Sequence, residues 1–504
     1  MEARNHSRLH SSIALATPIV RSLALCMALS MGLAGCADMG GIAPHSHLTD
    51  LNSLGAGKDI QAGAISPANW PNAQWWESYH DQQLNTLVVN AIAGSPNLKI
   101  AAARLDEAQS IAGIVHSAGL PKVEERVALS RIRYSEQDFV PPPYAGHYTW
   151  TNSAFISASY DLDIWGKQSK SDAGALDIVH ASEAEAQESR VALETLVVHA
   201  YIDLSLQYAL LDTENSTLTE QQKIVDIANR RRGIGLGTQL EISQAEAPIP
   251  VTQSRLKQIN EQIESLHHQL AALSGAGPAA GDAISRPTLT PINAIALPSS
   301  LPAELIGHRP DVVASRWRVE ASARGIDVAK TEFYPNVNLS AMFGFQSLGF
   351  PGFLSNKSRM DGITPAISLP IFNDEKLRSN LGVQTARYDQ AVERYNQTVV
   401  EAMRNVADQV SLWHSLEDQQ QDTQRAVELA QRSYDLATRG YKSGLTDYIN
   451  VLSAQVNLLN QQQNDAKVRF GQLNAYAGLV RSLGGGTVPT SNSATNSVPA
   501  TGNH

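Results

Sequence analysis

The chain has 504 residues, with 49 acidic against 39 basic side chains for a net charge of −10, and 43% of its residues are hydrophobic. That length is enough for more than one core, and the acidic balance argues against nucleic acid as a partner. The only two cysteines, Cys26 and Cys36, lie near the N-terminus, so the body of the chain carries neither a disulfide framework nor a cysteine metal site.

The first element in chain order is a targeting segment. Arg4, Arg8 and Arg21 precede the uncharged and mostly apolar run 22–33, and Leu33-Ala34-Gly35 sets small residues before Cys36. Basic, apolar and small-residue regions in that order form a secretory signal, and the apolar run is too short to cross a bilayer. Leu-Ala-Gly-Cys also resembles the bacterial lipobox, in which cleavage follows the glycine. The cysteine then takes diacylglycerol on sulfur and an acyl chain on the new amine. Several acyl chains, at about 0.8 kcal/mol per buried methylene, anchor stably where one chain is marginal. Ala37 after the cysteine, in place of Asp, points to the outer membrane. No run of 18 apolar residues follows Cys36, so no transmembrane helix is expected.

The body repeats itself. Pro96 and Pro121 stand 25 residues apart, as do Pro310 and Pro335, and the two pairs are offset by 214 residues. Farther on, LEISQAE (240–246) resembles INVLSAQ (449–455) at an offset of 209. Three matches in the same order imply an internal duplication of about 210 residues. Six prolines between 278 and 310 mark the join. The expected organisation is a signal at 1–35, an anchor segment at 36–69, a first repeat at 70–283 and a proline-rich connector at 284–301. A second repeat at 302–486 and a disordered tail at 487–504 complete it.

Each repeat alternates long helical tracts with short β segments. No proline occurs between Gln168 and Gly237 or between Ile371 and Val488. A helix of roughly 60 residues would run about 90 Å, beyond any ordinary globular helix. Within RAVELAQRSYDLA (425–437), Ala426, Val427, Leu429, Ala430, Ser433, Tyr434, Leu436 and Ala437 recur every three to four residues. Such stripes suit antiparallel coiled coils. In YTWTNSAFISASYDLDI (148–164), Tyr148, Trp150, Ala154, Ile156, Ala158, Tyr160, Leu162 and Ile164 share one strand face, and only Asn152 and Phe155 break the alternation. VNLSAMFGF (337–345) and ITPAISLPI (363–371) alternate similarly, whereas RVALSRIRYS (126–135) does so poorly. Strands of this length with one apolar face fit either a membrane β-barrel, with Ile156, Phe343 and Ile367 toward lipid, or a soluble sandwich with one wet face. An outer-membrane anchor favours the barrel. Four strands cannot close alone, and open edges are not tolerated in hydrocarbon, so two, three or four copies would have to share 8, 12 or 16 strands.

SASYDLDIWGK (157–167), HRPDV (308–312), AKTEFYPNVNLS (329–340) and ISLPIFNDEKLRSNL (367–381) resemble signature stretches of the TolC-type outer-membrane efflux channels. With Cys36 they are most similar to the lipidated NodT and OprM branch, over roughly Trp70 to Gly486. The resemblance implies an α+β membrane protein: a homotrimer with a 12-stranded outer-membrane β-barrel, four strands per chain, continued in the periplasm by a long antiparallel coiled-coil α-helical barrel. It also implies docking to a periplasmic adaptor (membrane fusion) protein and an inner-membrane pump, and efflux of small toxic compounds. In the family, polar residues of two turns hold the periplasmic entrance shut. By position Glu241 and Tyr441 match members of that linkage, and Asp447, Asn450 and Ser453 lie on the adjoining helix. Two family aspartates fall at Asn450 and Ser453 here, which argues against a cation-binding ring of aspartates. Pro248 and Pro250 are expected to interrupt the following helix.

Catalytic motifs are absent: there is no HExxH, GxSxG or P-loop pattern, and the adjacent His267 and His268 point apart on a helix. GIGLGT (233–238) follows a helical tract ending in three arginines rather than a strand, which makes it a helix terminator and not a phosphate loop. No enzyme, cofactor or metal site is expected. The competing reading is a periplasmic adaptor lipoprotein, disfavoured by amphipathic strands at matching places in both repeats. Mass spectrometry of the purified protein is expected to find an acylated Cys36 at the N-terminus with residues 1–35 gone; an unmodified thiol would exclude the lipid anchor.

Overall fold

A computed structural model describes residues 39–50, 70–292, 307–370 and 372–486. Cys36 and the signal before it, the segment 51–69, residues 293–306 with the second half of the proline-rich connector, Ile371 and the tail from 487 lie outside the described residues. The proline-free tracts are helical. The first half contributes α1 (Gln82–Gly94), α2 (Pro96–Ala118), β1 (Lys122–Arg133), β2 (Tyr148–Leu162), α3 (Lys167–Gly233), α4 (Gln239–Glu246) and α5 (Pro248–Leu273). The second contributes α6 (Pro310–Thr331), β3 (Asn336–Leu348), β4 (Arg359–Ser368), α7 (Asp374–Lys442) and α8 (Tyr448–Ser482). The order helix, hairpin, long helix, returning helix therefore occurs twice. Pro96 and Pro310 each begin a helix, where the missing N–H costs nothing, and Pro121 and Pro335 each stand just before a strand. With 67 and 69 residues, α3 and α7 each extend about 100 Å.

Among the described residues two compact units are distinguished: 39–47, 107–179 and 317–393 form the first, and 48–50, 70–106, 180–292, 307–316 and 394–486 the second. The first unit holds one antiparallel sheet in the order β1-β2-β3-β4, so each half supplies one hairpin and β2 pairs with β3 between the halves. The register puts Val123, Val127 and Leu129 of β1 in rows with Ala158, Ala154 and Asn152 of β2, and continues through Ala341, Phe345 and Ser347 of β3. One face is therefore apolar. β1 alternates poorly in sequence because Glu125 and Arg131 fall on that face. β4 starts at Arg359, earlier than its alternation signals, and ends before Leu369.

The two exceptions in β2 have structural causes. Asn152 is fully buried and donates from Nδ2 to Gly349 O (2.8 Å), fastening the turn that leaves β3. Phe155 lies opposite Gly344, where a Cβ would meet Ala154 O and the Phe155 ring well inside van der Waals contact, so the ring fills the space the glycine vacates. At the end of β2, Gly166 takes φ +73°, a left-handed conformation that glycine adopts without strain. Asp163 accepts from the N–H groups of Gln168 and Ser169 (both 2.9 Å), capping α3, and Trp165 Nε1 donates to Pro335 O (2.8 Å).

In the second unit, Trp75, Trp76 and Tyr79 pack with α1 against Val197, Tyr201 and Leu204 of α3 and Leu473 and Ala477 of α8. The HRPDV stretch is a helix start tied to a helix end. Asp311, in the first turn of α6, pairs with Arg309 through two contacts (3.0 and 2.6 Å), and Arg309 Nη1 donates to Ser482 O at the end of α8 (2.9 Å). Anion at an N-terminus and cation at a C-terminus are the favourable placements. The stripe in 425–437 is only partly a core stripe. Ala430 and Tyr434 are buried, whereas Leu429 and Leu436, seven residues apart, are 50% and 58% exposed. One helix thus carries a buried stripe and, beside it, leucines that its own chain leaves exposed.

Asp81 organises the packing of α1. Its Oδ1 accepts from Gln83 and Leu84 N–H, and its Oδ2 from Tyr201 Oη (2.9 Å) and Thr288 N (2.7 Å). Burial alone would raise this carboxyl. The N–H groups of Thr288 and Leu84 and the Tyr201 and Thr288 hydroxyls outweigh it and hold the group below the usual 3.8. A depressed carboxylate contributes stability at neutral pH that is lost as pH falls from about 4 through the lowered value. Asp81→Ala, which removes a helix cap and strands buried donors, is expected to destabilise the protein by about 2–4 kcal/mol at pH 7, measured by urea unfolding in detergent. The difference from wild type should shrink on acidification.

Candidate functional site

Two turns of the second unit have the same backbone and different side chains. Where α3 ends, Leu236 N bonds to Arg231 O (2.9 Å) and Gly235 N to Arg232 O (2.9 Å), with Gly235 at φ +76°. Where α7 ends, Leu445 N bonds to Gly440 O (2.8 Å) and Gly444 N to Tyr441 O (3.1 Å), with Gly444 at φ +78°. Both are glycine-terminated helix ends, which accounts for the glycines of GIGLGT without any phosphate. Thr238 Oγ1 then caps α4 by accepting from Glu241 N (3.2 Å), while Asp447 at the start of α8 makes no side-chain cap.

The side chains tie the turns together. Tyr441, 1% exposed, donates from its hydroxyl to Glu241 Oε2 (3.4 Å). Arg231 lies over the Tyr441 ring (4.7 Å to the centroid) and donates from Nη1 to Tyr441 O (2.8 Å) and from Nη2 to Leu236 O (3.3 Å). The guanidinium thus bridges the carbonyl-rich ends of two helices, where helix dipoles favour a cation. Burial first, and the Glu241 charge second, raise the Tyr441 phenol, so it remains a donor through the physiological range. The Tyr448 ring packs edge-on against Tyr441 (5.8 Å).

Of the sequence-derived candidates, Glu241 and Tyr441 meet. Asp447, Asn450 and Ser453 do not join them: all three are exposed in the chain, and Asn450 Nδ2 donates to Thr446 Oγ1 (2.8 Å). Val451 is buried and Ala454 half-buried, so the inward face of α8 runs through these apolar positions rather than through Asn450. Arg231 is the residue sequence reasoning missed. Three consecutive arginines at a helix end signal a favourable cation there but do not say which one turns inward. The prolines break the helix less than expected. Ala247, between α4 and α5, keeps right-handed helical angles and bonds to Ser243 O (3.1 Å). Pro248 and Pro250 fall in the first turn of α5, where N–H groups lack helical partners in any case.

The second candidate surface is the apolar sheet face. Ile156, Phe343 and Ile367 lie on it, with Ile156 directly paired to Phe343, and are 53%, 47% and 74% exposed in the chain. Ser157 and Ser340 lie on the opposite face. Tyr148, Trp150 and Phe350 gather at one end of the sheet, with Trp150 and Phe350 in ring contact (5.4 Å). An apolar band edged by aromatic rings matches the pattern of a membrane barrel's outer surface. Among the described residues no helix is long and apolar enough to cross a membrane, and no cluster of three or more His, Cys, Asp or Glu is arranged to hold a metal.

A duplicated helix–hairpin–helix chain with a sheet of this kind defines an outer-membrane efflux channel. The family described as "Outer membrane efflux protein" matches residues 87–276 and 301–485, one stretch in each half, and the chain belongs to it. It is 44% identical over 364 residues to the fusaric acid resistance protein FusA of Burkholderia cepacia, covering 71% of this chain and 68% of the relative. It is 30% identical over 395 residues to the multidrug resistance outer membrane protein MdtP of Escherichia coli K12, covering 77% and 80%. Among solved structures, the outer membrane protein VceC of Vibrio cholerae matches with a TM-score of 0.78 at 33% identity, covering 83% of this chain and all of that one. The outer-membrane channel OprN matches with 0.79 at 25% identity, covering 88% and 99%.

Arginine at Ile156, Phe343 or Ile367 is expected to reduce membrane-inserted protein, by about 2–4 kcal/mol at positions near the bilayer midplane. Arginine at Ser157 or Ser340 should leave insertion intact. Heat-modifiable species on unheated gels of outer membranes measure both; equal loss in the two sets would contradict a lipid-facing assignment.

Proposed function

We propose that three copies of this chain form the exit duct of a tripartite efflux system, receiving small toxic compounds from an inner-membrane pump through a periplasmic adaptor and releasing them outside the cell. The observation that carries this reading is a four-stranded sheet with an exposed apolar face and both edge strands open. Such a sheet is stable in hydrocarbon only when other copies complete a barrel. The exposed Leu429 and Leu436, one heptad apart, support helix packing against neighbouring copies in the same assembly. The names of the relatives, fusaric acid resistance and multidrug resistance, support organic toxicants as cargo.

The lipid on Cys36 adds a second hold on the membrane. The arm that follows it is fastened to the first unit: Met39 and Ile42 pack with Phe333 and Leu381, and the N–H groups of His45 and Ser46 both donate to Asp389 Oδ1 (3.0 Å). Phe333 stands three residues before β3, so the arm starts close to where the sheet starts.

The linked turns act as a gate. Arg231, Tyr441 and Glu241 bind one helix pair to the other, and individually such contacts are weak, which suits an element that must open. A rim of Ile234, Leu236, Leu240, Leu445 and Ile449, all more than half exposed, surrounds the link and offers an apolar surface to the adaptor. Loosening the link by 1.4 kcal/mol shifts the open population about tenfold. Glu241→Ala combined with Tyr441→Phe, which removes both polar groups and keeps the buried ring, is therefore expected to raise single-channel conductance in planar bilayers at unchanged trimer yield. Unchanged conductance would move the constriction elsewhere in the duct.

A further inference from the structure

We propose that β4 of one subunit joins β1 of the next in one particular register, with Asp361 opposite Arg131 of the partner subunit. The proposal rests on the shared barrel described above and assigns the residues that close it. Within the chain one row of paired residues crosses the apolar face: Glu125 opposite Ile156, Ile156 opposite Phe343, Phe343 opposite Asp361. A neighbouring β1 must continue that face, and a slip of one residue would turn every side chain over.

Strand ends narrow the choice further. β4 has 10 residues and β1 has 12, so all of β4 finds a partner only if Arg359 lies opposite position 131, 132 or 133. Position 132 exchanges the faces and is excluded. The two remaining registers advance the row by four or six residues per chain. Over four strands those offsets give tilts of about 35° or 46°, both near the usual range, so tilt does not decide.

Charge does. With Arg359 opposite Arg131 of the partner subunit, two like charges face each other on the apolar side, and Asp361 faces the partner's Leu129. Arg131 makes no ion pair among the described residues; it lies over the Tyr148 ring (5.8 Å). With Arg359 opposite the partner's Arg133, Asp361 meets Arg131 of the partner subunit, Ile363 meets the partner's Leu129, and Pro365 meets the partner's Val127. Arg359 keeps its own Asp361 (2.7 Å) in either register, but the arginine it meets differs: Arg133 brings Glu136 (3.8 Å), whereas Arg131 brings no carboxylate among the described residues. Opposite charges directly across an antiparallel pair stabilise it and like charges destabilise it. Arg131 pairs with Trp150 inside its own chain, so the Asp361 contact lies in the aromatic rim, where a charged pair is tolerated.

The register is read by cysteine pairs in the full-length protein, whose only native cysteines are Cys26 and Cys36. Gly362 has open space where a side chain would project. Ser130→Cys with Gly362→Cys is expected to yield covalent dimers and trimers on oxidation of outer membranes with copper phenanthroline, and Ala128→Cys with Gly362→Cys only background. The reverse pattern, or no cross-link from either pair while the unheated trimer persists, overturns the register. An unsubstituted protein that gives no trimer on unheated gels overturns the shared barrel itself. Asp361→Arg should lower the temperature at which the trimer dissociates, and Arg131→Asp added to it should restore that temperature; failure to restore it overturns the charge pairing.

Discussion

Backbone groups that cannot be left bare in hydrocarbon govern the architecture. A sheet of four strands leaves one row of N–H and C=O groups on β1 and another on β4, and lipid offers them no partner. A soluble protein could leave such edges to water or blunt them with charge. In a bilayer they must meet another strand, and a second copy of the chain supplies one. The duplication follows the same logic. Each half yields a hairpin, two hairpins pair through β2 and β3, and neither half presents an apolar face wide enough to be useful alone.

Much of this was legible in the sequence because the strongest signals are local. The absence of proline from Gln168 to Gly237 announces α3, and the alternation from Tyr148 announces β2. What was illegible depends on partners distant along the chain. β1 reads poorly because Glu125 and Arg131 stand on an otherwise apolar face, and only the pairing with β2 reveals which face that is. Asn152 and Phe155 look like errors in a strand until Gly349 and Gly344 appear beside them, 197 and 189 residues later. Periodicity in 425–437 did not separate Leu429 and Leu436, left exposed by their own chain, from the buried Ala430 and Tyr434, because a period of 3.5 does not say how many neighbours a helix has. At the candidate gate, Glu241 and Tyr441 were placed by resemblance. Arg231 was out of reach, since choosing among Arg230, Arg231 and Arg232 requires knowing where the second turn lies.

The candidate gate also shows what a duplication makes available. Aligned on their terminal glycines, the two turns are offset by 209 residues, which sets Gly235 against Gly444 and Thr238 against Asp447. Their backbone bonds match, as helix ends with a left-handed glycine must. In the same alignment Arg231 corresponds to Gly440, Arg232 to Tyr441 and Glu241 to Asn450. A strictly repeated turn would set like against like: two arginines, or two carboxylates, at a meeting of helix ends. Divergence removed the conflict. One copy keeps the guanidinium and the carboxylate, and the other supplies an aromatic ring that accepts the first on its face and offers a hydroxyl to the second. Gly440, where the second copy lacks the arginine, also lets Thr446 approach to where a Cβ would lie 3.1 Å from its methyl group. A fold that repeats its backbone thus obtains an attractive link between its halves only by ceasing to repeat its side chains. The link is therefore found where the two halves of the sequence agree in glycine and disagree in charge.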